Sequence, residues 1–213
     1  MMLKPYLIFD FDGTLVQSKK LAIQLFNELS ESYGGRKISN QDIAYLSGLS
    51  IPDRLRSLNV PLRKLPALVI EGKREYKKAA VHLQPVEGIR DVLFSLKKNG
   101  YSFGILSSNT SENIQQFLDL NEFPSFDFIH SATNLFGKHK AITSMARKLQ
   151  IHRSRMLYVG DEQRDVQACK KIGVKIAAVT WGFDSATLLA AAKPDFLCDS
   201  PEEFAGLFQT ISL

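Results

Sequence analysis

Asp10 and Asp12 flank Phe11, and Gly13 follows them. They close an apolar run over 6–9 of the kind shown by a strand buried on both faces. Asp is a poor strand former, so two of them at a strand end are not explained by packing. In a doubly wound sheet the carboxyl ends of the strands are where ligands bind. Asp10 belongs at that end and Asp12 in the turn beyond it, with Gly13 letting the chain turn where a side chain would obstruct. Taken alone, the pair also reads as two solvated loop carboxylates or a helix cap.

Three further polar clusters lie downstream. Ser107, Ser108 and Asn109 follow an apolar run over 101–106 and offer hydroxyls and a helix N-terminus, both suited to phosphate oxygens; an ordinary helix cap is the alternative. Phe136-Gly137-Lys138-His139-Lys140-Ala141 places a lysine just before a helical pattern. Val159-Gly160-Asp161-Glu162-Gln163-Arg164-Asp165 ends another buried run in acids. Acids at this spacing reach back toward the first strand's carboxylates, and oxygen ligands so clustered suit the hard cation Mg²⁺. Without such a partner they are acids at a helix N-terminus.

The elements that must position these residues are legible. Ala22, Leu25, Phe26, Leu29 and Tyr33 form one helical stripe, closed by Gly34 and Gly35. A helix starts at 39–42, Gly48 breaks it, a short one spans 52–58, and Pro61 precedes a long basic helix through Ala80. No buried strand is expected over 16–84. Helix and strand then alternate: helices after Gly88, Ser111, Lys138, Asp161, Ser185 and Ser200, strands over 101–106, 126–130, 156–159, 175–179 and 195–197. Such alternation implies a parallel sheet with right-handed crossovers.

The string Asp10-Phe11-Asp12-Gly13-Thr14-Leu15 resembles motif I of the haloacid dehalogenase-like (HAD) hydrolase superfamily, and the three clusters resemble motifs II to IV in order. The tail, through Thr180-Trp181-Gly182-Phe183 and Asp199-Ser200-Pro201-Glu202, resembles the phosphoglycolate phosphatase-like branch. The resemblance implies an α/β fold, a Rossmann-like parallel core over 1–15 and 86–213, with an all-helical C1-type cap domain over 16–85. It implies Asp10 as nucleophile forming an aspartyl-phosphate, Asp12 as general acid and then base, and Ser107, the Ser108 N–H and Lys138 on the phosphoryl oxygens. Mg²⁺ is implied at Asp10, the Asp12 backbone carbonyl, Asp161 and Asp165. Lys140 is the other candidate for the motif III lysine. Two positions depart from the branch pattern: His139 stands where Pro is common after that lysine, and Gln17 where Asp is usual.

The implied function is a Mg²⁺-dependent phosphatase for a small, phosphoglycolate-like phosphomonoester. A phosphosugar mutase of the β-phosphoglucomutase type and a non-catalytic regulatory protein on the same fold are the alternatives. Arg54, Arg56, Lys73 and Arg74 in the cap either bind a second anionic group of the substrate or are solvated helix charge.

Composition is compatible with this reading. The 213 residues, 45% of them hydrophobic, suffice for one substantial core and a small accessory domain. No apolar segment approaches the ~20 residues of a membrane span, and the N-terminus does not resemble a signal peptide. Cys169 and Cys198 have no metal or redox spacing, which points to reduced buried thiols in a cytoplasmic protein. The net charge of +5 is spread rather than clustered with aromatics, so a small phosphorylated metabolite, steered by charge, is expected as partner rather than nucleic acid.

Overall fold

A computed structural model describes residues 4–79, 82–132 and 137–210. The expected helix end at Ala80, residues 1–3 and Phe136 of the lysine segment lie outside the described residues.

The strands are β1 (Tyr6–Phe9), β2 (Ser102–Ser107), β3 (Phe128–Ser131), β4 (Met156–Gly160), β5 (Lys175–Val179) and β6 (Phe196–Cys198). They form one parallel sheet in the order β3-β2-β1-β4-β5-β6. The register pairs Phe9 with Ile105 on one side and with Val159 on the other. β1 is therefore central, and the chain winds away from it first toward β3 and then toward β6. Between β1 and β2 come α1 (Lys19–Leu29), α2 (Asp42–Ser47), α3 (Ile51–Ser57), α4 (Leu65–Ala79) and α5 (Ile89–Lys98). The remaining helices are α6 (Ser111–Leu120), α7 (Lys138–Lys148), α8 (Gln163–Ile172), α9 (Ala186–Ala191) and α10 (Pro201–Thr210).

Alternate residues of each strand feed opposite faces, as the two-residue strand period requires. Leu7, Phe9, Phe103, Ile105 and Val159 meet Leu93 of α5, Phe117 of α6 and Phe204 of α10. Ile8, Leu106, Tyr158 and Ile176 meet Ile142 of α7, Val166 of α8 and Leu189 of α9. Phe9 has edge-to-face contacts with Phe103, Phe126 and Phe204. Burying such a ring is worth about 2–3 kcal/mol, and both layers are thus anchored on the strand that carries Asp10. The strand expected over 126–130 is shifted by pairing, because Phe128 aligns with Gly104 while Phe126 packs in the core.

The helices α1 to α4 have a core of their own, in which Leu46, Leu55, Leu58, Val60 and Leu68 are buried with Phe26 and Leu29 packed against them. The expected stripe through Tyr33 ends differently from a plain α-helix. α1 stops at Leu29 and residues Ser30–Tyr33 tighten into a 3₁₀ turn, closed by Gly34 at φ +83°.

This helical insert docks on the loop after β5. Lys19 Nζ donates to the carbonyls of Gly182 (3.1 Å) and Phe183 (3.0 Å) and to Ser47 Oγ (3.0 Å). Arg54 Nη2 donates to Asp184 Oδ1 at 2.7 Å, while its Nε holds the Leu46 carbonyl. Asp184 is buried and also accepts from the Gln163 N–H at 2.6 Å. Arg54→Met leaves that carboxylate without its cation. The expected loss is about 3 kcal/mol, read as a lower midpoint in urea denaturation; an unchanged midpoint would show that the pair contributes nothing.

Candidate active site

The site is built at the carboxyl end of β1. The Asp10 N–H still donates to the Val159 carbonyl (2.8 Å), so the ladder runs one residue past the strand. Asp10 Oδ1 then accepts the Phe11 N–H at 2.7 Å, and Leu15 N–H returns to the Phe11 carbonyl at 2.9 Å. This turn requires Gly13, which has φ +76° and lies so close to Asp161 that a Cβ would stand 2.2 Å from its Oδ2. Gly182 approaches the same oxygen equally closely.

Lys138 enters at the first turn of α7. Its Nζ donates to Asp10 Oδ2 and Asp165 Oδ1, each at 2.5 Å. Burial works against its charge, but Asp10 and Asp165 outweigh that and hold its pKa well above the lysine range. Lys140, the other candidate, is exposed on the same helix. A small cavity is lined by Asp10, Ser107, Ser108, Lys138 and Arg164. It brings the residues of the first three sequence clusters together. Ser107 is buried at the end of β2 and its Oγ accepts the Asn109 N–H at 3.1 Å.

The acids sort into different environments. Asp12 Oδ1 accepts the Tyr76 hydroxyl of α4 at 2.6 Å. Burial pushes the Asp12 pKa up to about 6; the Tyr76 hydrogen bond pulls against this, and the Asp10 charge adds to it. Asp165 caps α8 reciprocally with Glu162, and burial raises it to about 6 despite Lys138. Asp161 accepts from Thr14 Oγ1 (3.1 Å) and from the Phe183 N–H (2.7 Å). Burial and the neighbouring Glu162, Asp10 and Asp165 push its carboxyl well above the usual range.

Oxygens of Asp10, Glu162 and Asp165 lie within 4.8 Å of one another. Hard oxygen donors, buried and crowded so that their charges oppose one another, fit a divalent cation such as Mg²⁺. Glu162, which also pairs with Arg164, was not among the residues expected from sequence. Its signal was the acid triplet Asp161, Glu162 and Asp165 itself. Tyr76 left no such signal, since it lies on the insert and meets Asp12 only through tertiary docking. Of the insert's cations, Arg54 is engaged by Asp184, Arg56 by Asp53 and Arg74 by Glu71 and Glu75. Lys73 reaches the site, donating to the Ser108 carbonyl at 2.8 Å.

Residues 7–179 match the family model described as haloacid dehalogenase-like hydrolase. The chain belongs to that family. The HAD-like chain is 32% identical over 198 residues to a phosphoglycolate phosphatase of Synechococcus elongatus, covering 92% of this chain and 93% of that one. It is 25% identical over 201 residues to pyrophosphatase PpaX of Bacillus cereus, covering 90% of each. A haloacid dehalogenase-like hydrolase structure from Streptococcus pneumoniae shares the fold, with a TM-score of 0.78 at 22% identity over 97% of this chain and 99% of that one. The protein is thus an HAD-like phosphatase with a six-stranded parallel core and a helical insertion after β1. No helix among the described residues is long and apolar enough to cross a membrane.

Proposed function

We propose that this phosphatase is Mg²⁺-dependent and hydrolyses a small phosphomonoester through an aspartyl-phosphate on Asp10, with residues 16–85 as the cap domain over the core. One observation carries the reading. Two carboxylates of a single turn are held by different partners, Asp10 by Lys138 and Asp12 by Tyr76. Separate environments let neighbouring acids take separate roles.

Asp10, which accepts a hydrogen bond from Lys138, attacks phosphorus, and the bond from phosphorus to the ester oxygen breaks. Asp12, whose value of about 6 lets it carry a proton near neutrality, passes that proton to the leaving alkoxide. The ionised Asp12 then takes a proton from the water that attacks the aspartyl-phosphate, which releases phosphate and restores Asp10. Ser107, the Ser108 N–H and Lys138 neutralise the phosphoryl oxygens. Asp10, Glu162 and Asp165 offer the oxygens that would hold Mg²⁺, with Asp161 and the Asp12 backbone carbonyl completing the set. The cation would supply further charge neutralisation at the phosphoryl group.

Phosphoglycolate is the first substrate to assay, by similarity to the Synechococcus enzyme, and the free, buried Cys169 and Cys198 suit a reducing cytoplasm. Phosphate release from a panel of phosphomonoesters, with Mg²⁺ and with chelator, tests the reading. Chelator-sensitive release supports it; no release from any ester would overturn it. Isomerised sugar phosphate without free phosphate would replace it with a mutase.

The cation has a signature in stability. Asp12 and Asp165 have folded-state values above their unfolded ones, so the metal-free protein loses this part of its stability as pH rises from about 4 to about 6. A divalent cation on Asp165 needs its ionised form and must displace its proton below about pH 6. The increase in Tm on adding Mg²⁺ is therefore expected to be full above about pH 7 and to fade toward about pH 5. Thermal melts in Mg²⁺ and in EDTA across this range check it, and a pH-independent increment would count against Asp165 as a ligand.

A further inference from the structure

A cavity of about 350 Å³ opens from Asp12 into the space between α1 and α4. Its lining changes character along its length. Ser18 precedes α1, and Lys73, Tyr76 and Lys77 lie in the last turns of α4; together with Asp12 they make one polar end. Tyr76 is hydrogen-bonded to Asp12 there, and the buried Ser18 hydroxyl lies beside both. The rest of the two helices contributes Leu25, Phe26 and Leu29 from α1 and Leu65, Leu68 and Val69 from α4. The two helices run antiparallel, since Ser18 and Tyr76 share one end of the cavity. On α4 the apolar stretch from Gly72 back to Leu65 extends about 10 Å at 1.5 Å per residue. A charged group carried into it meets no cation among its lining residues, because Lys73 and Lys77 belong to the polar end.

Gly72 is the second observation. Glycine inside a helix costs about 1 kcal/mol relative to Ala. A Cβ at Gly72 would meet nothing among the described residues within 4 Å, so close packing does not demand the glycine. It lines the cavity between the polar end and the leucines. Any side chain there would occupy the space through which a ligand extends beyond Asp12.

We infer that the substrate is a phosphomonoester with an apolar leaving group, seated between α1 and α4 beyond Gly72 while its phosphoryl group faces Asp10. The inference rests on the phosphatase reading and narrows it from a small anionic ester to one whose alcohol is hydrocarbon. Asp12, at the mouth of the cavity, stands where the alkoxide departs.

Unbranched alkyl phosphates from ethyl to hexyl test this, because their alcohols are similarly poor leaving groups and differ only in chain length. With Mg²⁺, kcat/KM is expected to rise roughly fourfold per added methylene, mainly through a falling KM. Gly72→Leu fills the cavity and is expected to bring the hexyl-to-ethyl ratio close to one, and the milder Gly72→Ala to lower it partly. Both variants should melt at or above the wild-type temperature, since each gains helix propensity. Turnover of phosphoglycolate with a flat chain-length profile would overturn the inference and leave the phosphatase reading intact. A steep profile that survives Gly72→Leu in a folded protein would overturn the seat between α1 and α4. Absence of release from every ester would overturn both readings.

Discussion

Asp10→Asn is expected to abolish turnover, with kcat lowered on the order of 10⁴-fold or more, as when a covalent nucleophile is removed. The substitution keeps the shape and removes the charge and the attacking oxygen pair. Asp10 is only 5% exposed, so its loss is not rescued by bulk water reaching phosphorus from that side. The fold should survive. Lys138 keeps Asp165 as a partner, and the Asn carbonyl can still accept one of the two hydrogen bonds that Asp10 accepts from Phe11 and Lys138. A stability loss of about 1–3 kcal/mol is expected for the other. Phosphate release and a thermal melt, measured together, check both parts. A well-folded variant within about tenfold of wild-type kcat would remove Asp10 from the nucleophile's role.

The second large effect concerns Lys138. Its ammonium joins Asp10 and Asp165, and their side chains are 11%, 7% and 0% exposed, so solvent screens the group little. Lys138→Met removes the cation and leaves two buried carboxylates facing each other. In chelator the variant should lose about 3–5 kcal/mol, the cost of breaking a buried pair. Added Mg²⁺ should restore part of this by supplying charge to the same acids. Activity should stay about 10²- to 10³-fold down even with the metal, because the donor to the phosphoryl oxygens is gone. Lys140→Met, on the exposed side of α7, should change kcat by less than a factor of about three. If the Lys140 variant were the inactive one and the Lys138 variant active, the third motif would have been assigned to the wrong lysine.

The sheet was legible because its strands are continuous apolar runs ended by Asp, Ser or Gly, a pattern that parallel strands buried on both faces produce. The polar residues at their carboxyl ends were legible for the same reason, since Asp10, Ser107 and Asp161 each interrupt such a run. The insert was legible as helices but not in what its residues do. Arg54 carries no local sign that it will pair with Asp184, at a separation of 130 residues. Tyr76 and Asp12 are 64 apart, and no helical or strand period links them. The apolar cavity was hidden too. Leu25, Leu29 and Leu68 have the spacing of ordinary core residues, and only the docking of α1 against α4 shows that the space between them is not filled.

The central place of β1 has a consequence during synthesis. It leaves the ribosome before both of its partners, Ser102–Ser107 and Met156–Gly160. At bacterial or eukaryotic elongation rates the second of them arrives on the order of 10 s later. Until Ser102–Ser107 is made both edges of Leu7, Ile8 and Phe9 lack a partner, and until Met156–Gly160 is made one edge stays open, the kind of segment that pairs with other chains. The helices of the insert, whose contacts are local, can form meanwhile. Nascent chains stalled before residue 156 are thus the aggregation-prone species.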